Sequence, residues 1–430
     1  MSEALVLTAV FAVLLLLGVP VAFAIGLSAF LALLVSLDPA PAATVLAQRM
    51  ATGLDSFALL AIPFFILAGN LMNRGGIATR LIALAKVVVG RLPGGLAAVN
   101  VVANMLFGSI SGSSVAAAAA NGGVMTPLMV KEGYQREFAA AVNITSAPTG
   151  LLIPPSNIMV VYSLASGGVS IAALFLAGYV PGLLLGLALM IVGTVIARRR
   201  GYPTAGAVSA HEAWRILLAA LPSLCLILLV MGGIIIGWFT PTEASAIAVV
   251  YTFVLSVLVY REVKWAELPQ VLADAAETTA IVLVLVGASM GMSWVMASAN
   301  IPQAVSAALL GLSDNPALLL LLITLILLVV GTFMDMTPAV LIFTPILLPV
   351  VTGFGMDPIH FGLVMIFNLC IGLCTPPVGS VLFVGCGVSR TAIARVWRPL
   401  LPFYAVMIAV LFIVTYVPAL SLALPRLFGL

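Results

Sequence analysis

The fold class predicted by this sequence is an all-α polytopic membrane protein with about ten crossings and two re-entrant hairpins, arranged as two inverted repeats. Three observations predict it. Hydrophobic residues make up 63% of the 430 and charged residues 7%, with a mean hydropathy of +1.29; a soluble domain carries about 25% charged residues. The apolar segments repeatedly exceed the roughly 17 residues that span a bilayer, and they do not alternate, so helices rather than a β-barrel satisfy the backbone. The helix breakers of the first half also recur in the second.

The N-terminus MSEALVL has no basic region and no small-residue cleavage site, so the first segment is expected to remain a membrane helix. Hydrophobic runs bounded by charges and Pro/Gly breaks predict crossings near 4–18, 21–37, 58–73, 135–163, 170–197, 217–239, 242–261, 278–297, 357–386 and 399–424. Two apolar stretches remain, 95–130 and 316–353, with the breaks SISGSS (109–114) and TFMDMTP (332–338) at their centres. Each is expected to enter the membrane, turn, and leave on the side it entered. The mixed segments 77–92 and 262–277 read as amphipathic helices along the cytoplasmic interface.

Charge tests this arrangement, because Lys and Arg accumulate in cytoplasmic loops. Starting with the N-terminus outside, fifteen of the seventeen Lys and Arg residues fall inside, leaving Arg49 and Arg426 outside. Counting either hairpin as one crossing would invert everything after it. Both termini are therefore expected in the periplasm.

Slid along itself so that Pro127 meets Pro349, the chain also aligns Gly133 with Gly355, Gly150 with Gly372, and Pro154-Pro155 with Pro376-Pro377. Five crossings per half, an odd number, make the second copy upside down. The expected units are residues 1–200, a cytoplasmic linker at 201–216, and residues 217–430. Inverted repeats with one hairpin and one broken helix each are the architecture of secondary transporters, with the site at the midplane.

The breaks carry the chemistry. Unpaired backbone costs several kcal/mol in hydrocarbon and survives only where protein or ligand satisfies it. NITSAPTGLLIPPSN (143–157) and NLCIGLCTPPVGS (368–380) each stop a helix with paired prolines. Free carbonyls beside Ser156, Asn157, Gly379 and Ser380 suit a hard cation such as Na⁺. Opposite them, the first tip offers Ser109, Ser111, Ser113 and Ser114, and the second offers Thr332, Asp335 and Thr337. Asp335 is the one acidic residue placed deep in the membrane, where an aspartate costs about 2.5–3.5 kcal/mol. It reads as a cation ligand, or as the N-cap of the segment that starts near Thr337-Pro338. The tip serines read either as ligands or as small residues for close helix packing. Ser113, Ser114, Asn143 and Thr149 are the expected substrate contacts.

Other chemistries find little support. Cys225, Cys370, Cys374 and Cys386 show no CxxC spacing, and Cys370 and Cys374 read as packing residues. No GxxxxGK[ST] loop occurs, and neither a HExxH nor a Ser/His arrangement lies in the membrane, so an ATPase or intramembrane enzyme is disfavoured. The polar groups collect at one depth, whereas a channel needs a continuous polar path. No organic cofactor and no nucleic-acid partner are expected; the lipid bilayer is.

The segments AIPFFILAGNLM (61–72), GSISGSSVAAAAANG (108–122), KEGYQREFAAAVN (131–143), GLLIPPSN (150–157) and CTPPVG (374–379) carry a family resemblance across the chain. The sequence resembles the large membrane subunit of a tripartite ATP-independent periplasmic (TRAP) transporter. That resemblance implies a bacterial inner-membrane protein that takes up an organic acid on a Na⁺ gradient, by an elevator motion of the hairpin core. It implies two partners, a small membrane subunit of about four helices and a periplasmic substrate-binding protein. It also points to sodium sites at Ser109, Ser111, Ser156 and Asp335. Two ions crossing 100 mV supply about 4.6 kcal/mol, on the order of a two-thousandfold accumulation. The alternative is a stand-alone sodium–dicarboxylate carrier of related architecture. C4-dicarboxylates, sialic acids, keto acids and sugar acids are all candidate substrates.

Overall fold

The computed structural model describes residues 3–430 other than 93, 205–208 and 314, and among them it contains helices and no strand. The first half comprises α1 (Glu3–Leu16), α2 (Val21–Leu33), α3 (Pro39–Leu54), α4 (Ala61–Arg74), α5 (Ile77–Val89), α6 (Gly95–Ser111), α7 (Ser114–Lys131), α8 (Arg136–Ser146), α9 (Thr149–Leu152), α10 (Asn157–Ala165) and α11 (Ile171–Arg199). The second half comprises α12 (Ala210–Ile236), α13 (Pro241–Phe253), α14 (Leu268–Ser298), α15 (Ile301–Leu312), α16 (Pro316–Phe333), α17 (Met336–Gly353), α18 (Pro358–Gly372), α19 (Ser380–Val388), α20 (Ile393–Tyr416) and α21 (Ala419–Leu427). The offset that pairs Pro127 with Pro349 also carries the first residues of α7, α8 and α11 onto those of α17, α18 and α20. It carries the Pro154-Pro155 bond onto Pro376-Pro377 as well, and both bonds are cis.

The two halves grip each other reciprocally. Helix α10 packs on α17 and α19 on α7; α8 packs on α20 and α18 on α11; α4 packs on α13 and α14 on α2. Exchange of partners in this manner is what a two-fold relation between copies produces. The copies run in opposite directions. Arg136 Nη1, at the start of α8, donates to Ser389 O just past the end of α19 (3.1 Å). Tyr162 Oη, near the end of α10, donates to Pro358 O at the start of α18 (2.6 Å). One broken helix therefore begins at the face where the other ends.

Length places the breaks at mid-depth. With 11 residues in α8 and 9 in α10, each rises about 16 Å or less, roughly half of a 30 Å hydrocarbon layer. Hairpin arms then approach the broken helices closely enough that no side chain fits between them. A methyl built on Gly108 would lie 2.8 Å from Gly150 Cα, and one on Gly331 would lie 3.2 Å from Gly372 Cα. The same glycine pair thus serves both repeats, as small residues do wherever membrane helices meet backbone to backbone.

Around this core, α4 and α5 of the first half are tied to the second at one face. Arg74 Nη2 meets Asp274 Oδ2 at 2.5 Å and Arg80 Nη2 meets Glu262 Oε1 at 3.6 Å, with the Arg80 guanidinium 3.7 Å above the Tyr260 ring. Exposed pairs of this kind contribute about 0–1 kcal/mol each, so they orient the frame more than they hold it. At the same face Tyr134 Oη donates to Pro203 O (2.9 Å), and burial pushes its phenol up to about 12.

Several expectations need correction. The crossing expected at 399–424 is not one helix: α20 ends at Tyr416, Val417 leaves helical geometry (φ −121, ψ 80) ahead of Pro418, and α21 folds back on α11. The steric demand of proline on the residue before it is the cause. His360 holds that corner, with Nδ1 3.2 Å from Ser421 Oγ and Nε2 3.1 Å from Thr415 O. The segment 262–277 joins 278–297 from Leu268 onward in the 31-residue α14, because Pro269 falls in its first turn, where proline is tolerated. Helices α3 and α15 were not expected. The linker expected at 201–216 is shorter, since α12 begins at Ala210 with Ser209 Oγ accepting from Glu212 N (3.2 Å); residues 205–208 lie outside the described residues. By length and composition alone α16 and α17, 18 residues each, qualify as full crossings. They are instead arms of one hairpin, because their shared tip meets the first hairpin inside the bundle.

The glycine contacts predict a graded response. Gly150→Val and Gly372→Val force backbone apart and are expected to cost more than the about 1–3 kcal/mol typical of overpacking. Gly232→Ala and Gly311→Ala meet nothing within 4 Å and are expected to leave stability within about 1 kcal/mol, the helix-propensity range. Thermal melting of the detergent-solubilised protein checks the contrast; equal melting across all four variants would refute the close-approach reading.

Candidate functional site

Both hairpin tips open onto one cavity of about 300 Å³. Ser111, Gly112, Ser113 and Ser114 come from the α6–α7 tip; Asp335, Met336 and Thr337 come from the α16–α17 tip; Asn157 comes from the first helix break. The frame completes the wall with Asn70 and Asn73 of α4 and Thr278 of α14.

Local sequence explains each placement. Gly112 ends α6 in the left-handed conformation (φ +62), and a methyl there would lie 3.0 Å from Asn157 Nδ2. Glycine therefore both turns the chain and admits the asparagine. Ser113 starts α7 as its N-cap, its Oγ accepting from Ala116 N (3.2 Å), and aims the amide end of α7 at the cavity. Asp335 occupies the equivalent N-cap of α17 (φ −66, ψ 159). Unlike Ser113, its side chain makes no cap hydrogen bond. The residue is exposed to the cavity. The capping reading thus holds for position and fails for the carboxylate. None of the cavity residues is Lys or Arg.

The remaining predicted site residues lie off the cavity. Ser109 Oγ donates to Leu106 O (2.9 Å) within α6, and Thr149 Oγ1 donates to Ser146 O (2.6 Å) across the step from α8 to α9. Ser156 is fully buried at the start of α10 and its hydroxyl has no hydrogen-bond partner. The Ser380 hydroxyl, at the start of α19, likewise forms none. Gly379 lies where a methyl would fall 2.7 Å from Leu373 O and 2.8 Å from Thr375 O, so two carbonyls crowd its Cα. Val378 N donates to Thr332 O (3.1 Å), fastening the second tip to its break.

Asn143, an expected substrate contact, is committed elsewhere. Asn104 Nδ2 reaches Asn143 Oδ1 (3.1 Å), Ser146 Oγ (2.7 Å) and Asn100 Oδ1 (3.1 Å). Asn121 Nδ2 donates to Asn104 Oδ1 (2.7 Å), and Asn143 Nδ2 to Ala118 O (2.8 Å). All of these residues are fully buried, so the network joins α6, α7 and α8 rather than facing a ligand. At the offset that relates the repeats, Asn104, Asn121 and Asn143 fall on Ile326, Phe343 and Met365, which leaves the second hairpin without a counterpart.

Cys370 and Cys374 do more than pack. Their thiols face carbonyls at the first break: Cys374 Sγ lies 3.1 Å from Ile144 O, and Cys370 Sγ lies 3.6 Å from Pro148 O, which also accepts from Leu151 N (3.0 Å). Tyr404 Oη donates to Cys374 O in the second break. Sequence reasoning missed Asn70, Asn73 and Thr278. A polar pair three residues apart in AIPFFILAGNLMN (61–73) was the available signal, since it puts both amides on one face.

Two antiparallel hairpin-and-broken-helix units enclosing a polar cavity define a membrane transport protein of the secondary class. The comparisons agree. The chain belongs to the family described as "Tripartite ATP-independent periplasmic transporter, DctM component", whose model matches residues 8–420. It is 55% identical over 425 residues to the uncharacterized protein YgiK of Salmonella typhimurium, covering 99% of this chain and 98% of that one. It is 39% identical over 441 residues to the C4-dicarboxylate TRAP transporter large permease protein DctM of Rhodobacter capsulatus, covering 100% of both. In fold it is similar to the Alcanivorax borkumensis YdaH transporter, with a TM-score of 0.63 at 14% identity over 86% of each chain.

The network and the cavity are expected to separate on mutation. Asn104→Leu strands the partners of its amide at about 1–3 kcal/mol per unsatisfied group and is expected to lower the melting temperature by several degrees. Asn73→Leu, at the open cavity wall, is expected to leave it unchanged. The reverse order in a melting experiment would contradict these assignments.

Proposed function

We propose that this chain is the sodium-coupled, substrate-translocating subunit for an organic acid, moving its hairpin core as an elevator within the α2–α4 and α13–α14 frame. The observation that carries the reading is the uncapped Asp335 carboxylate at a cavity shared by both hairpin tips. An aspartate left without its helix-capping bond at that depth is costly unless a cation compensates it.

The residues present fit a hard monovalent cation. On the second side, Asp335, Thr337 and Ser380 supply a carboxylate and two hydroxyls, with Gly379 keeping the Leu373 and Thr375 carbonyls clear of a side chain. On the first side, Ser109, Ser111, Ser156 and Asn157 supply hydroxyls and an amide, and the buried Ser156 hydroxyl has no partner of its own. Sodium, when bound, supplies positive charge that offsets the carboxylate and the helix C-terminal carbonyls.

Substrate recognition follows from the same geometry. With no Lys or Arg on the cavity wall, the donors for a carboxylate are the N-terminal amides of α7 behind Ser113 and Ser114, together with the Asn70 and Asn73 amides. Glycine at position 69 of α4 lets the frame approach the tip backbone closely, since a methyl there would lie 2.8 Å from Ser111 O. Asn143 and Thr149, buried in hydrogen bonds, position the tip and the break rather than contact substrate. The basic face is cytoplasmic and both termini periplasmic, in the inner membrane. The partners are a small membrane subunit and a periplasmic binding protein that delivers the acid, in keeping with the tripartite family.

Uptake by proteoliposomes containing the chain and its partners, over a panel of C4-dicarboxylates, sialic acids, keto acids and sugar acids, tests the proposal. Uptake is expected to require Na⁺. Asp335→Asn is expected to weaken Na⁺ activation by roughly 10- to 150-fold, the worth of one charged interaction of about 1.5–3 kcal/mol, with expression intact. Uptake that proceeds equally in potassium, or an Asp335→Asn protein with unchanged Na⁺ dependence, would sink it.

A further inference from the structure

A second concavity, of about 610 Å³, lies between α7 and α19 at the basic end of the bundle, well away from the hairpin tips. Its rim carries Lys131, Arg136 and Arg390, and its walls are Gly123, Pro127, Val130 and Val388. Positions 123, 127 and 131 recur every fourth residue on α7, so one stripe of that helix runs from glycine at depth to lysine at the rim.

None of the three cations forms an ion pair among the described residues. Among the described residues the ion pairs are Arg74–Asp274 and Arg80–Glu262, so Glu132 and Glu137 pair with none of the three despite their nearness in sequence. Arg136 spends one Nη on Ser389 O; its remaining donors stay free. The floor is closed by the buried Thr126 and Ser389 hydroxyls, 3.2 Å apart.

Arg390 supplies an independent sign that the rim is built. It occupies the left-handed position that ends α19 (φ +51), and the matching position after α10 in the other repeat is Gly167 (φ +83). Left-handed backbone is strained for a residue with a Cβ, and a helix C-terminus ordinarily places glycine there. Repeat two therefore tolerates strain where it puts a guanidinium over the concavity, as it also does at Arg261 and Asn300 elsewhere. Topology alone requires basic residues somewhere in the loops at this face; it does not require one at a strained position facing two others across an apolar-walled groove.

We propose that this cup binds the phosphate of an anionic phospholipid, with the headgroup at Lys131, Arg136 and Arg390 and an acyl chain along the groove between α7 and α19. The groove has apolar walls for a chain to lie against, Pro127 and Val130 on α7 and Val388 on α19. Basic pockets between helices at a membrane interface recognise such headgroups. A lipid there would bridge the first hairpin to the second broken helix, joining the two repeats at their shared edge.

The test uses the full chain purified in a neutral detergent, with phosphatidylglycerol, phosphatidylcholine and inorganic phosphate as probes. Native mass spectrometry and thermal melting are the readouts. Phosphatidylglycerol is expected to be retained and to raise the melting temperature, while phosphatidylcholine is not. In Arg390→Gly, which relieves the backbone strain and keeps the cap, phosphatidylglycerol affinity is expected to fall at least tenfold with lipid-free melting unchanged or raised. Lys131→Gln, on an exposed side chain, is expected to weaken it in the same direction. Equal retention of the two lipids, or undiminished phosphatidylglycerol binding in both variants, would overturn the proposal. So would equal stabilisation by millimolar inorganic phosphate, which would make the occupant a soluble anion.

Discussion

Everything distinctive in this molecule depends on a backbone cost: an amide or carbonyl left unpaired in hydrocarbon is worth several kcal/mol against folding. Two helices are nevertheless interrupted at mid-depth and two hairpins turn there. The structure resolves this by aiming each interruption at another. The Ile144 carbonyl, released where α8 stops because Pro148 has no N–H, faces the Cys374 thiol from the opposite repeat, and the Cys370 thiol lies against Pro148 O beside it. Tyr404 covers Cys374 O, and the Val378 amide covers Thr332 O. The first break is thus met by side chains of the inverted partner, and the second by residues of its own repeat.

Close approach is the second consequence. Backbone can satisfy backbone across a helix boundary only if side chains stand aside, and Gly108–Gly150 and Gly331–Gly372 do so at matching positions. Once the tips are that deep, their N-caps necessarily share one cavity with Asn157. The groups exposed there are of two kinds. Ser113 is spent on its own helix, whereas Asp335 is not. Symmetry of backbone therefore carries asymmetry of chemistry, with the lone carboxylate in one repeat and the buried asparagine network in the other.

Much of this was legible from periodicity and breakers. Hydropathy marked the long helices, paired prolines marked the breaks, and the polar centres of 95–130 and 316–353 marked the tips, because each is a local conflict between composition and environment. Asp335 stood out for the same reason. What composition could not reveal was which polar residues would face one another. Asn143 looked like a site residue, yet its amide is held inside the protein by the Asn104 amide and the Ala118 carbonyl, which belong to α6 and α7 and which only packing brings to α8. Asn70 and Asn73 looked like helix interior and line the cavity instead.

Solvent preference, then, is a property of each residue and its near neighbours, and for that reason the chain alone specifies membrane residence, helical class, the inverted duplication and the depth of its breaks. Contact across the two-fold relation is not a local property. Whether α16 and α17 cross the bilayer or turn within it, whether α20 continues past Tyr416, and whether a hydroxyl such as that of Ser156 finds a partner are decided by which surfaces remain to be covered once the two copies have closed on each other.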